Sequence, residues 1–85
     1  MTPYFFDVLA NDKLTKDDLG LELNSLEEVR SAAMHALPAI AKDELTMESD
    51  HQSYTILVRS EGGEPIYTAT LNFAGLWLSH AKPEL

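Results

Sequence analysis

The sequence predicts an α+β fold: a two-layer β-β-α-β-β sandwich, with one long amphipathic helix packed on a mainly antiparallel four-stranded sheet. Three observations carry this. A capping signal at Ser25 opens an apolar stripe of helical spacing. Two segments rich in β-branched and aromatic residues flank a Gly-Gly turn. An aromatic segment near the N-terminus alternates with the period of a strand.

The elements follow in chain order. Residues 3–10 are aromatic and apolar, with Tyr4, Phe6 and Val8 on one face and Phe5, Asp7 and Leu9 on the other. Pro3 is tolerated because it stands at the strand's start. Residues 11–18 are polar and read as a hairpin connection. Residues 19–23 read as a short second strand, with Gly20 at a turn or bulge.

Ser25-Leu26-Glu27-Glu28 fits a capping box, in which Ser25 accepts from the Glu28 N–H and Glu28 reaches back to the Ser25 N–H. Leu26, Val29, Ala33, Ala36, Leu37 and Ile40 then form one stripe, opposite Glu27, Arg30, Ser31, His35 and Lys42. That is a helix of about five turns. Pro38 interrupts it: the missing N–H and the crowded preceding turn predict a kink there. After a polar loop at 46–52, residues 53–59 and 66–73 read as the strands of a hairpin. The turn is Glu61-Gly62-Gly63-Glu64-Pro65, with its glycines supplying positive φ. Residues 74–78 are apolar and either extend the strand or fold back on the core, and 79–85 are expected to fray.

Eighty-five residues make a single domain, 1–85, with no internal repeat. A net charge of −8 and six scattered cations make nucleic acid an unlikely partner, since its binding relies on clustered Lys and Arg. A basic protein suits the charge better. With no Cys, disulfides and thiolate metal sites are excluded, and self-association remains the simplest added source of stability. No apolar run reaches the roughly 18 residues that span a bilayer, and Met1-Thr2-Pro3-Tyr4 lacks a basic n-region, so the expected location is cytoplasmic.

Tyr4-Phe5-Phe6-Asp7-Val8, the acidic Asp17-Asp18-Leu19-Gly20-Leu21-Glu22 segment, the Ala-rich helix and the hairpin around Gly62-Gly63 together resemble a small bacterial family of unknown function. The resemblance covers most of residues 3–71, supports the element boundaries and implies no activity. Asp18-Leu19-Gly20 and Ser25-Leu26-Glu27-Glu28 also resemble the HicB-type antitoxins. The proline- and glycine-containing segment which that family carries before its helix is missing here. That similarity implies a regulator that binds a basic partner protein.

The chemistry-bearing residues form no catalytic motif. His35, His51 and His80 show no metal-ligand spacing, and Asp12, Asp17 and Asp18 lack the spacing of a calcium loop. Asp17, Asp18 and Glu22 read as solvated hairpin residues. No G-x-S-x-G occurs, and Glu61 and Glu64 would repel a phosphate from the glycine pair. Asp7 stands out as an acid within an apolar strand: buried, it needs a partner such as Arg59. An enzyme or small ligand-binding domain would require Asp7, His35 and Arg59 to meet in one pocket.

A single helix covers one sheet face only. Phe5, Leu9, Leu57 and Trp77 are therefore expected on the other, as a partner or dimer surface. The resulting expectation is a non-enzymatic protein–protein interaction domain with no cofactor and no metal, working as a homodimer or with another protein.

Overall fold

A computed structural model describes residues 1–78. The order is β1 (Thr2–Ala10), β2 (Lys13–Thr15), β3 (Leu21–Leu23), α1 (Leu26–Glu44), β4 (His51–Arg59) and β5 (Pro65–Ala74). The strands form one antiparallel sheet in the order β2-β1-β4-β5, with β3 paired to the start of β1. The α+β architecture is as expected, but the sheet has five strands rather than four.

The extra strand lies inside the segment read as a connection. Asn11, at φ 54°, turns the chain within two residues, and the ladder resumes at once with Ala10 opposite Lys13. β2 is an edge strand exposed along its whole length, so its residues need not be apolar and carry no strand pattern. Residues 16–20 then leave the ladder, opposite residues 5–7 of β1, and pairing returns with Tyr4 opposite Leu21. β3 is accordingly 21–23 rather than 19–23.

Ser25 caps α1 as expected, accepting from Glu28 N–H at 3.2 Å. The return bond of the box differs: the Glu28 carboxylate accepts from Asn24 N–H at 2.7 Å, one residue before the cap. The helix runs unbroken through Pro38 to Glu44. Packing of its apolar stripe holds the turn where Pro38 supplies no N–H. Leu26 lies off the packed stripe and is 67% exposed. In the β4–β5 hairpin only Gly63 has positive φ (88°); Gly62 does not. Ile66 is an extra residue in β5, because Val58 pairs with Tyr67 while Arg59 pairs with Pro65.

The core lies between α1 and the sheet. Val29, Ala33 and Leu37 of α1 meet Tyr54, Ile56 and Val58 of β4, with Tyr4, Phe6, Val8, Tyr67 and Ala69 around them. The period-two alternation read in β1 is therefore the core alternation, and β4 follows the same period. Leu76, Trp77 and Leu78 are exposed, so residues 75–78 neither extend β5 nor fold back on the core. The expected fraying of 79–85 falls outside the described residues.

Candidate functional site

The open sheet face is built by the odd residues of β1 and β4. Cross-strand partners share a face. Leu9 is therefore joined by Leu14 of β2 and Thr55 of β4, and Asp7 by Leu57, which in turn stands beside Thr68 of β5. Leu9, Leu14 and Leu57 are 40%, 61% and 38% exposed. With Thr55, Pro65 and Thr68 they line a shallow groove of about 470 Å³, closed at one end by Asp7 and Arg59.

That end is an ordered polar clamp. Asp7 is 4% exposed even though it points away from the helix layer. Arg59 and the 16–20 loop cover it. The Asp7 carboxylate accepts from Arg59 Nε at 2.7 Å, from Arg59 Nη2 at 3.0 Å and from Asp17 N–H at 3.0 Å. Arg59 also donates to the Asp17 carbonyl at 3.2 Å. The guanidinium lies 5.2 Å from the centre of the Phe5 ring, a cation–π distance.

Asp17 organises the loop in turn. One carboxylate oxygen accepts from Leu19 N–H and Gly20 N–H, and the other from Phe6 N–H of β1, all at 3.0 Å. A side chain thus replaces the missing ladder partner of β1 in the gap between β2 and β3. Gly20 is required there: its φ is +78°, and a Cβ would lie 2.9 Å from the Phe5 ring. The sequence alone presents Asp17 as a solvated hairpin acid. The signal for its role was the loop length, which leaves β1 backbone donors without strand partners.

The Arg59 hydrogen bond holds the Asp7 carboxyl below the usual carboxylate range. Burial opposes this, and the Asp17 N–H adds to the lowering. Burial pushes Asp17 up, but the N–H bonds from Gly20, Phe6 and Leu19 together outweigh it and leave Asp17 lowered. Both groups are thus more acidic folded than unfolded. Their stabilisation is present above the ordinary carboxylate range and is lost as pH falls through the depressed folded values. Denaturant melts of the wild type are expected to hold steady down to about pH 4 and to lose stability below it. In Asp7→Asn and Asp17→Asn the acid slope is expected to be shallower. An unchanged slope in both variants would refute this assignment.

The expected partner surface is brought together in part. Leu9 and Leu57 share the groove, and Leu14, read as part of a connection, completes it. Phe5 is on the same face but half-buried under Gly20 and Arg59. Trp77 follows β5 outside the ladder and is 53% exposed. Asp7 and Arg59 pair as expected, but His35 does not join them. It is exposed on the helix, with Nδ1 2.8 Å from the Ser31 carbonyl, while the pair lies on the opposite sheet face. Among the described residues no group of three or more His, Cys, Asp or Glu is placed to hold a metal. No helix of the described residues is long and apolar enough to cross a membrane.

A second cleft, at the opposite end of the sheet, is a structural joint. Gln52 is 5% exposed; it donates to the Thr46 and Ser49 carbonyls and accepts from Thr46 N–H and the buried Tyr54 hydroxyl. Asn11 ties the β1–β2 turn to β4 by accepting from Ser53 N–H at 3.0 Å.

Fold and site together define a small α+β domain with a half-covered antiparallel sheet and a clamped edge loop. The chain belongs to the family described as Domain of unknown function (DUF6894), whose model matches residues 4–72, from β1 almost to the end of β5. Trp77 lies beyond the matched segment. No curated protein and no solved structure matches the chain.

Proposed function

We propose that the protein is a non-catalytic protein–protein interaction domain that associates with itself through its sheet, at the open face or at the free edge. The carrying observation is that, among the described residues, the sheet has a layer on one side only. α1 covers the face of Tyr54, Ile56 and Val58, while Leu9, Leu14 and Leu57 stand exposed in one groove on the other. Contiguous apolar surface of this kind marks interaction sites. The acids leave it free: among the described residues only Asp7 and Glu22 lie in strands, and Asp7 is neutralised by Arg59.

Light scattering over a concentration series tests the proposal. The mass is expected to rise from 9.5 kDa toward twice that value as concentration increases. A monomer throughout would remove the self-association.

The net charge of −8, carried mostly on loops and the helix, favours a second reading as an antitoxin-like regulator of a basic protein. Its test is the genomic neighbour: absence of a small basic protein encoded alongside would remove its main support.

A further inference from the structure

We infer that the free edge of β5 is the association surface, and that its partner is β5 of a second copy, paired antiparallel about a two-fold axis. This rests on the self-association proposed above and names its surface.

The two sheet edges are treated differently. The β2/β3 edge is two strands of three residues, interrupted by the clamped loop and carrying Lys13, Lys16, Asp17, Asp18 and Glu22. Short edge strands, charges and interruptions are the devices that prevent edge-to-edge pairing. β5 has none of them past its first residues. It is ten residues long, and from Tyr67 to Ala74 it contains no charge and no proline. Among the described residues it pairs with β4 alone.

The ladder shows which backbone groups face outward. Gly75 N–H donates to the Asp50 carbonyl at 2.8 Å, and Asn11 N–H to the Ser53 carbonyl at 2.8 Å. Antiparallel pairs alternate, so the β4-facing groups of β5 belong to Tyr67, Ala69, Leu71 and Phe73. The N–H and C=O groups of Thr68, Thr70 and Asn72 point away from β4.

The strand is complementary to itself. Antiparallel pairing centred on Thr70 sets Thr70 against Thr70 and Thr68 against Asn72. On the helix side it sets Tyr67 against Phe73 and Ala69 against Leu71. Hydroxyl meets hydroxyl or amide, and apolar meets apolar. No charged pair forms, although each copy carries −8. Leu71 and Phe73, 39% and 44% exposed beyond the helix's cover, gain that cover from the second copy. The self-complementary pattern favours a second copy over an unrelated strand, and the interface is isologous.

The test combines light scattering with hydrogen exchange by NMR on the full chain. Backbone amides of Thr68, Thr70 and Asn72 are expected to gain protection as concentration rises, at least tenfold where dimer predominates. Those of Tyr67, Ala69 and Leu71 are expected to be protected throughout. Thr70→Lys sets like charges against each other at the two-fold axis, and Thr70→Pro removes an outward donor. Both are expected to give monomers, and Thr70→Lys supplies the result if Thr70→Pro does not fold. The Leu14→Asp/Leu57→Asp double variant separates the edge from the open face: a dimer that persists supports the edge, and a monomer overturns the edge assignment in favour of the face. A dimer that survives Thr70→Lys, or protection of the three amides that does not vary with concentration, overturns the edge assignment while leaving self-association standing. A wild type monomeric at every concentration overturns both.

Discussion

Asp7→Ala is expected to destabilise the domain by about 2–3 kcal/mol, a large share of the roughly 4–13 kcal/mol available to a chain of this size. The carboxylate accepts three hydrogen bonds and is 4% exposed. Removing it leaves the part-buried Asp17 N–H unpartnered and frees Arg59 from its place over Phe5. Losing one partner of a buried polar set costs more than the net value of the bonds. Arg59→Met keeps the side-chain stem but not the charge, and pairs with Asp7→Ala in a double-mutant cycle. The double variant is expected to be more stable than the summed single losses imply. Denaturant melts measure all three, and a loss under about 0.5 kcal/mol for Asp7→Ala would show that the clamp does not hold the loop.

Ile56→Ala is expected to cost about 3–4 kcal/mol, since it deletes a fully buried side chain at the centre of the α1–β4 contact. Ile56 pairs with Val8 on one side and Ala69 on the other, both on the packed face, so the cavity is walled by three strands and the helix. Strand backbones cannot close into it. At roughly 4–8 °C per kcal/mol for a domain of this length, the melting temperature should fall by about 12–32 °C. Thermal unfolding followed by circular dichroism gives the value directly. Leu57→Ala, one residue along on the open face, is the control and is expected to stay within about 0.5–1 kcal/mol of wild type.

The contrast between Ile56 and Leu57 shows what could be read in advance. Side chains alternate with period two in a strand, so Tyr54, Ile56 and Val58 had to share a face, as did Tyr4, Phe6 and Val8. Helical spacing assigned Val29, Ala33 and Leu37 to the contact stripe in the same way. The acid in β1 asked for Arg59 as a partner, because a buried charge is costly alone. Less was legible where the bonding is between a side chain and distant backbone. Asp17 looks like any hairpin acid until Phe6, eleven residues earlier, is brought against it. Asn11 looks like an ordinary turn residue until Ser53, 42 residues later, donates its N–H to it.

Local periodicity and capping were enough to determine the helix and its start, the long strands and the two faces of β1. These depend on neighbours within one turn or one strand, so the chain carries them directly. The tertiary structure alone decided the rest. It placed β2 and β3 end to end along β1, put His35 on the far layer from Asp7 and Arg59, carried the helix through Pro38, and left β5 at an edge. Each outcome depends on groups far apart in the chain. The energies that select among them, burial against one particular face and hydrogen bonds to one particular carboxylate, exist only once the layers have met.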